Sequence, residues 1–318
     1  YDIPHRIMDG YGMNVRLVEA AYADGVDTII TCDNGIAAET AVTRAKELGM
    51  TVIVTDHHEV PCEVTENGEK NYLYVNADAV IDPHRPDCAY PYKGLCGAGV
   101  AYKFIRHLYR VMELPWEDED AYMDILALGT VCDIMPLTDE NRIFVKRGLR
   151  RLTNSANLGI NALKKALGLD GKPIEVHHLS FRIGPSLNST GRLESAKEGV
   201  ELLLTDDPAR AESLAQDMAK LNELRKEMTD RGVRAATDWV RKDIRMIPTE
   251  DSVKEKKIGD DKVIVLYMPG IHESIAGLIA SKLKEAFYRP TLVFTDAENG
   301  QGLKGSGRSI ETYNMFDK

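Results

Sequence analysis

Residues 28–35 read TIITCDNG and residues 51–58 read TVIVTDHH, and these two stretches decide the fold. Each begins with a β-branched run that is typical of a buried strand and then runs into an acidic residue. Residues 37–48 between them have helical composition, and Gly49 is a suitable C-terminal stop for that helix. Strand, helix and strand over this distance predict a βαβ unit, with two parallel strands joined by a right-handed crossover.

The acidic and imidazole side chains of this unit fall just past the carboxyl ends of its two strands. Asp33 follows the first strand, and Asp56, His57 and His58 follow the second. Ligands bind at this edge of open α/β sheets. We therefore expect the two groups, which are separate in sequence, to lie side by side in space.

Further helices are predicted at about 97–112, 119–130 and 140–153, and a long polar helix at 207–242. The long helix opens with an Asp-Pro pair, which suits an N-cap followed by a first helical turn. A helix as long and polar as this is more often a spacer between domains than a core element.

Beyond the long helix, residues 243–260 are predicted to form a charged linker. A second α/β unit follows, with strands at 262–267 and 291–295 and a helix at about 274–286. The chain is thus predicted to contain two domains, for which 318 residues are sufficient.

Composition limits the class of protein. The hydrophobic fraction of 43% and the charged fraction of 28% are those of a soluble globular protein, and no apolar run is long enough to span a bilayer.

The net charge of −10 argues against a protein that coats nucleic acid non-specifically, although carboxylates that hold metal ions also make a chain acidic. Five cysteines without a CxxC pair argue against a disulfide scaffold and favour a reducing cytoplasm. Because the first residue is Tyr1 rather than Met, we expect the chain to begin inside a longer gene product.

Asp33, His57, His58 and Asp133 have the chemistry of a divalent-metal site that acts on phosphate esters. Carboxylates combined with imidazoles suit Mn²⁺, and Mg²⁺ where oxygens dominate. Two such ions can activate a water and stabilise the charge on an attacked phosphate. Asp56 is placed to orient a ligand imidazole by hydrogen bonding.

The same residues also have a purely structural interpretation. Residues 33–35 (DNG) alone are typical of a turn. A His-His pair alone is weak support for a metal, and residues 177–178 are such a pair without an acidic neighbour, which we interpret as structural. Spacing alone leaves the metal site and the structural interpretation equally open.

Several stretches resemble the motifs of the DHH phosphoesterase superfamily. Residues 55–58 (TDHH) are similar to the motif that names it, residues 31–36 (TCDNGI) to the acidic motif before it, and residues 129–133 (GTVCD) to the later aspartate motif. Further stretches narrow the resemblance to the RecJ family of single-strand-specific DNA exonucleases, at residues 1–6, 10–12, 96–101, 181–185 and 188–193. Residues 272–277 and 305–310 resemble the DHHA1 domain that is paired with the DHH domain.

The resemblance covers nearly the whole chain in the right order, and it implies an α/β fold. A parallel-sheet DHH domain would occupy residues 1–205, and a long connecting helix residues 206–245. A smaller α/β DHHA1 domain would occupy residues 246–318.

Carried over by position, the resemblance implies that Asp33 bridges two metal ions and that His57 and Asp133 bind one of them. It implies that His58 faces the scissile phosphate or its metal-bound water. The implied cofactors are Mn²⁺ or Mg²⁺, and the implied activity is processive 5′→3′ removal of nucleotides from single-stranded DNA in recombination and repair. The implied partners are single-stranded DNA, a single-strand-binding protein and a helicase.

Residues 302–308 are predicted to form a glycine-rich loop whose backbone N–H groups and two cations are able to face an anion. An ordinary surface loop fits the same residues, but the resemblance favours Arg308 and Ser306 as residues that grip the DNA backbone. The remaining substrate-binding candidates are Asn188, Arg192 and His272. Arg192 also suits a helix cap, and His272 also suits packing beneath the loop. The sequence shows no aromatic-rich stripe for base stacking.

The sequence departs from the family pattern in two places. A pair of closely spaced aspartates that precedes the residues matching Tyr1 onward in the family, and a later Gly-Gly-His stretch, are not in this chain. The chain is therefore expected to lack ligands for one metal ion and to be weak or inactive alone. Two alternative functions stay open: a DHH/DHHA1 phosphodiesterase of short oligonucleotides or cyclic dinucleotides, and a non-catalytic nucleic-acid-binding DHH subunit.

Overall fold

A computed structural model of the protein describes residues 1–4, 9, 12–115, 120, 122–193, 195–242, 244–248, 253–257, 261–298, 300, 302–313 and 315. The helices of these residues are α1 (Val15–Ala23), α2 (Glu39–Glu47), α3 (Gly97–Val111), α4 (Met123–Cys132), α5 (Asp139–Thr153), α6 (Leu158–Ala166), α7 (Val176–His178), α8 (Gly184–Leu193), α9 (Lys197–Leu204), α10 (Pro208–Lys242) and α11 (Glu273–Phe287). A π-helical stretch, Leu179–Ile183, joins α7 to α8. The strands are β1 (Thr28–Ile30), β2 (Thr51–Thr55), β3 (Cys62–Val64), β4 (Lys70–Tyr72), β5 (Ala79–Ile81), β6 (Ile244–Pro248), β7 (Val253–Lys257), β8 (Ile264–Tyr267), β9 (Thr291–Asp296) and β10 (Leu303–Arg308).

The parallel strands of the predicted βαβ unit are confirmed. β1 and β2 pair in parallel, with Thr28 opposite Thr51, and α2 lies between them in the chain. β5 pairs in parallel with the other side of β2, so the order of this sheet is β1-β2-β5. β5 is not among the predicted strands, although its Val80 and Ile81 form a β-branched run that precedes an acidic residue.

One buried apolar cluster fixes this sheet. Val52 and Val54 alternate along β2 and are fully buried together with Val42 and Ala45 of α2, and α1 adds Val18. Burial of a valine side chain contributes about 1.5–3 kcal/mol. This packing holds the carboxyl ends of β1 and β2, and therefore the polar residues that follow them.

The helices α4 and α5 contribute to a second buried apolar cluster. Seven of the ten residues of α4 are buried, as expected for a helix that is enclosed by the protein. At Gly148 of α5 the two helices approach so closely that a Cβ atom would overlap the Met123 carbonyl oxygen and the Ala127 side chain. The predicted helix at 119–130 is α4, but residues 119 and 121 lie outside the described residues. So do residues 5, 6, 10 and 11 of the resembling stretches.

The chain divides into two compact units. The first contains residues 1–188 and 196–216, and the second contains residues 189–195 and 217–318. One boundary between the units falls within α10, and two more lie on either side of residues 189–195. The domain limits that the resemblance implies stay a prediction.

The long helix α10 is confirmed at its predicted position. Asp207 caps it, because the Asp207 Oδ1 accepts a hydrogen bond from the Ala209 amide at 2.9 Å. Ala215 is fully buried in the part that belongs to the first unit, and Ala236 and Val240 belong to the core of the second. α10 therefore contributes core residues to both units and is more than a spacer. Neither α10 nor any other helix of the described residues has an apolar stretch long enough to cross a bilayer.

The second unit contains the predicted second α/β unit. β8 and β9 pair in parallel, and β10 pairs antiparallel with β9. The core consists of alternate residues of β8 with one face of α11, and it includes Ile264, Leu266, Ile275, Ile279 and Leu283.

The stretch that was predicted to be a charged linker contains instead the antiparallel hairpin of β6 and β7. Its high charge hid the β-forming tendency of the valine and isoleucines within it.

The stretch that was predicted to be a glycine-rich loop is the strand β10. It places Gly305 opposite Phe294, and a Cβ atom on Gly305 would lie 2.5 Å from that ring. The glycine is therefore present because a cross-strand aromatic ring covers its position, and not because the backbone turns. An extended backbone directs successive N–H groups to opposite sides, so they do not converge on an anion. The prediction of a backbone anion cradle is wrong.

We expect Gly148→Ala to lower the free energy of unfolding by about 1–3 kcal/mol, because the added methyl group forces α4 and α5 apart. Urea denaturation followed by circular dichroism measures this change. Lys146→Ala, at an exposed position on the same helix, is the matched control and should change the stability by less than about 0.5 kcal/mol. Equal stability of the two variants would contradict the close approach at Gly148.

Candidate metal centre

Asp33 lies directly after β1, as predicted, in an unusual backbone conformation. Its φ of 65° is in the left-handed region, which aspartate tolerates better than most residues. Its amide donates to the Thr55 carbonyl at 3.1 Å, which ties the end of β1 to the end of β2. A Cβ atom on Gly97, the first residue of α3, would lie 2.5 Å from the Asp33 side chain. Gly97 thus allows α3 to begin against Asp33, a role that only the fold reveals.

Asp56 follows β2 at the carboxyl edge of the sheet, and 1% of its surface is exposed. Its carboxylate accepts hydrogen bonds from the Ile36 amide at 2.9 Å and the His57 amide at 2.8 Å. The His58 Nδ1 lies 2.7 Å from the Asp56 Oδ1. Burial alone would raise the pKa of Asp56, but these hydrogen bonds outweigh it and hold the pKa below its usual range. Asp56 is therefore an ionised carboxylate, and the imidazole it contacts is that of His58.

His57 lies between two carboxylates. Its Nε2 is 2.9 Å from the Asp33 Oδ1 and 3.4 Å from the Asp133 Oδ2. The hydrogen bond with Asp33 raises the pKa of His57, burial opposes that rise, and the charges of Asp33 and Asp133 add to it. The end of β1, the end of β2 and the end of α4 therefore meet at one imidazole nitrogen.

Asp133 caps the C-terminus of α4 and faces this group. Burial raises the pKa of Asp133, and the nearby Asp33 charge raises it further. Asn188 of α8 lines the same pocket, of about 250 Å³, as Asp33 and Asp133. The helical run reaches this position because Gly184 allows it to pack against Cys132, where a Cβ atom would overlap the sulfur.

These residues fit a divalent metal ion. Among the described residues, ligand atoms of Asp33, His57 and His58 all lie within 4.8 Å of one another, and Asp133 contacts the same His57 nitrogen. Carboxylate and imidazole together are a donor set that Mn²⁺ accepts. The carboxylates of Asp33 and Asp133 both lie beside the His57 Nε2. A bound cation would reduce the repulsion between these two negative charges.

Asp82 is a residue of this edge that the sequence analysis missed. It follows β5, the third parallel strand, and is 3% exposed. Its Oδ1 accepts a hydrogen bond from the His84 amide at 2.7 Å, whereas its Oδ2 is buried without a hydrogen-bond partner among the described residues. Burial raises the pKa of Asp82, and the charge of Asp56 adds to the rise. The short β-branched run before Asp82 is the sequence pattern that could have revealed it.

The remaining predicted site residues lie in the second unit, where Arg192, His272 and Arg308 each have a hydrogen-bond partner. The Arg192 Nη1 donates to the Ser274 carbonyl at 3.0 Å, in the first turn of α11. His272 is the N-cap of α11: its Nδ1 accepts a hydrogen bond from the Ser274 amide. Its Nε2 lies 3.1 Å from Glu298.

The side chains of β10 lie along α11. The Arg308 Nε donates to the Ser281 Oγ at 3.1 Å. A Cβ atom on Gly277 would lie 2.8 Å from the Arg308 Nη2 and 3.3 Å from the Ser306 Oγ. Gly277 thus gives both predicted phosphate-binding side chains room to lie against the helix.

The other histidine pair has a different environment. The His177 Nδ1 lies 3.2 Å from Glu175, so the expectation of no acidic neighbour is wrong. The side chains of His177 and Glu175 are both exposed. The His178 Nδ1 accepts a hydrogen bond from the Glu175 amide within a capping box. One carboxylate at a helix start gives no converging ligand set, in contrast to His57.

Comparison with known families defines the class of protein. Residues 1–130 match the DHH family, N-terminal domain. This match includes Asp33, Asp56, His57 and His58, and ends three residues before Asp133.

Relatives with a curated description narrow the class. The single-stranded-DNA-specific exonuclease RecJ of Bacillus subtilis (strain 168) is 36% identical over 315 residues, which are 99% of this chain and 36% of that protein. The RecJ exonuclease of Salmonella typhimurium is 36% identical over 327 residues, covering 100% of this chain and 53% of that protein. The chain thus spans between a third and somewhat over half of the length of these relatives.

Solved structures agree with the sequence comparison. A crystal structure of exonuclease RecJ bound to manganese has a TM-score of 0.78 and 30% identity, covering 99% of this chain and 71% of that chain. RecJ of Thermus thermophilus in complex with Mn²⁺ has a TM-score of 0.74 and 30% identity, covering 93% of this chain and 39% of that chain. The chain belongs to the RecJ family.

We expect His57 to titrate above its ordinary pKa of about 6.5 in the metal-free protein, because the Asp33 carboxylate stabilises its charged form. Since this pKa is higher in the folded than in the unfolded chain, the resulting stabilisation is fully present below the unfolded value. It is lost as the pH rises through the folded value. NMR titration of the imidazole resonances in the presence of a chelator measures the pKa, and a His57→Gln spectrum assigns the resonance.

Asp33→Asn should lower the midpoint of this titration, because it removes the largest cause of the rise. A His57 midpoint that stays the same in this variant would show that Asp33 does not pair with His57.

Proposed function

We propose that this chain is the catalytic core of a divalent-metal-dependent exonuclease that hydrolyses the phosphodiester bonds of single-stranded DNA in the 5′→3′ direction, in recombination and repair. The observation that carries this proposal is the convergence of Asp33, Asp133 and the Asp56-oriented histidine pair at one sheet edge. The relatives support it, because RecJ proteins that match across the whole chain are named single-stranded-DNA-specific exonucleases.

In this proposal Asp33, His57 and Asp133 hold Mn²⁺ or Mg²⁺. When bound, the metal supplies a Lewis acid that polarises the phosphate and lowers the pKa of a water. The protein contributes a fixed donor set, since each ligand is held by a separate element. That one of two ions lacks ligands in this chain stays a prediction.

His58 is proposed to face the scissile phosphate and to move a proton there. Its Nδ1 lies 2.7 Å from the Oδ1 of the ionised Asp56, and this contact fixes the orientation of the ring. Asp56 acts through His58 and does not itself reach the substrate, because it is buried.

The second unit is proposed to be the DHHA1 domain, with Arg308 and Ser306 as contacts for the DNA backbone. The guanidinium is exposed enough to meet a phosphate and is oriented by Ser281. Asn188, which lines the pocket of the metal ligands, is proposed to contact the same strand near the reacting phosphate. Arg192 and His272 act in this proposal by fixing the start of α11.

The polymer partner in this proposal is single-stranded DNA. A single-strand-binding protein and a helicase, which the resemblance implies as partners, stay predictions, and so does the cytoplasmic location. The geometry of the metal-binding residues gives no information about these protein partners or about the location of the protein in the cell.

We expect His57→Ala to reduce hydrolysis of 5′-labelled single-stranded DNA by more than about 100-fold, because a metal ligand is lost. The assay uses the protein at its natural full length with Mn²⁺ and follows released mononucleotide. The matched control is His177→Ala, the same substitution in the other histidine pair, which should retain full activity.

A dinucleotide assayed beside the long strand separates the alternatives. Cleavage of the dinucleotide alone would assign the protein to the phosphodiesterases of short oligonucleotides. Cleavage of neither substrate would favour a non-catalytic nucleic-acid-binding subunit and overturn the proposal.

We expect Gly277→Ala to raise KM for single-stranded DNA about tenfold with little change in kcat, because the added methyl displaces the Arg308 guanidinium. A hydrogen bond to a charged group contributes about 1.5–3 kcal/mol, which sets the expected size. Steady-state kinetics on the same substrate measures both constants. Lys282→Ala, an exposed change on the same helix, is the control, and an equal effect of the two variants would remove Arg308 from the proposed interface.

A further inference from the structure

A pocket of about 410 Å³ in the second unit contains none of the residues discussed above except His272 and the core residue Ile275. One face of α10 forms one wall, and the segment that follows β8 forms the other. The lining residues are Met228, Arg231, Gly232, Ala235, Trp239, Met268, Pro269, Gly270, Ile271, His272 and Ile275. The pocket therefore lies at the carboxyl end of a parallel strand, an edge at which α/β proteins bind ligands.

The pocket has a closed apolar floor and an aromatic wall. Met268 and Ile275 are almost fully buried beneath it. α10 and α11 approach closely here, since a Cβ atom on Gly232 would lie 2.5 Å from Ile279. Above this floor the Trp239 side chain is 40% exposed, which is unusual for a residue of its size. The pocket thus combines a partly exposed indole with an apolar lining.

The polar groups of the lining suit an anion next to these apolar residues. Arg231 is exposed and makes no ion pair with any described residue. His272 is held in place by Ser274 and Glu298, so its ring is a fixed part of the wall. The lining itself contains no carboxylate among the described residues. A planar apolar group linked to a phosphate matches this arrangement better than a cation or an aliphatic ligand does.

We propose that this pocket binds one nucleobase of a single-stranded DNA, with the base stacked on Trp239 and a neighbouring phosphate paired with Arg231. The inference rests on the proposed function for the identity of the polymer. Stacking on an aromatic side chain tolerates any base sequence, and arginine adds charge and cation–π attraction. The second unit thus holds the strand by a base as well as by its backbone.

The chain offers a direct probe of this contact, because its two tryptophans are Trp116 and Trp239. A Trp116→Phe variant retains Trp239 as its one indole. We expect its fluorescence to be quenched on titration with an oligothymidylate of about 12 nucleotides, a length within the usual range of single-strand sites. The titration is performed with a chelator, so that no hydrolysis interferes.

Binding measured by fluorescence anisotropy of a labelled oligothymidylate supplies the second readout. Trp239→Leu should weaken binding about tenfold, as expected for the loss of one stacked base, whereas Trp239→Phe should retain most of it. Arg231→Ala should weaken binding and reduce its salt dependence. Arg234→Ala, an exposed arginine of the same helix that does not line the pocket, should do so much less.

The outcomes separate this inference from the proposed function. Unquenched fluorescence and full affinity of Trp239→Leu, together with hydrolysis that depends on His57, would overturn the base pocket and leave the exonuclease proposal intact. Quenching and weakened binding, together with no hydrolysis by the protein at its natural full length with Mn²⁺, would support the pocket and overturn the catalytic proposal. If circular dichroism shows that Trp239→Leu is unfolded, Arg231→Ala and the quenching titration still decide the matter.

Discussion

The buried carboxylate of Asp56 is the constraint on which the proposed metal centre depends. It gathers the backbone after β1, through the Ile36 amide, and the backbone after β2, through the His57 amide. It also holds the ring of His58. A buried carboxylate is costly unless its hydrogen bonds are made, so this group specifies one arrangement of the two loops. The positions of Asp33 and His57 follow from it.

The sequence predicted this edge well because its determinants are local. A β-branched run of four or five residues indicates each of the two strands. Because the strands are parallel, the acidic residue that follows each run lies at the carboxyl edge of the sheet. Gly97 could not be predicted from the residues in this way. Its importance arises from the approach of α3 to Asp33, a contact between residues far apart in the chain. The need for a glycine at such a position can be recognised only when the residue that packs against it is known.

The same reasoning explains the error at β10. Glycines and cations in one short stretch suggest an anion-binding turn, since glycine is usually selected for backbone freedom. In this protein Gly305 is selected for lack of a side chain, because Phe294 lies across from it on β9. Trp239 was overlooked for a related reason: the residues that make it part of a pocket come from the segment after β8, and no pattern within α10 reveals them.

The proposed metal centre would also link metal binding to the stability of the fold. Its carboxylates come from the end of β1 and the end of α4, and both lie beside the same His57 nitrogen. Without a cation, the two carboxylates favour the protonated form of His57 and so raise the pKa of its imidazole. A divalent ion at the same place competes with that proton, so metal affinity must fall as the pH is lowered. Because the unfolded chain cannot gather these ligands, every increment of metal affinity is also an increment of folding stability. Selection for metal binding therefore also favours the Asp56 hydrogen bonds that hold the loops together.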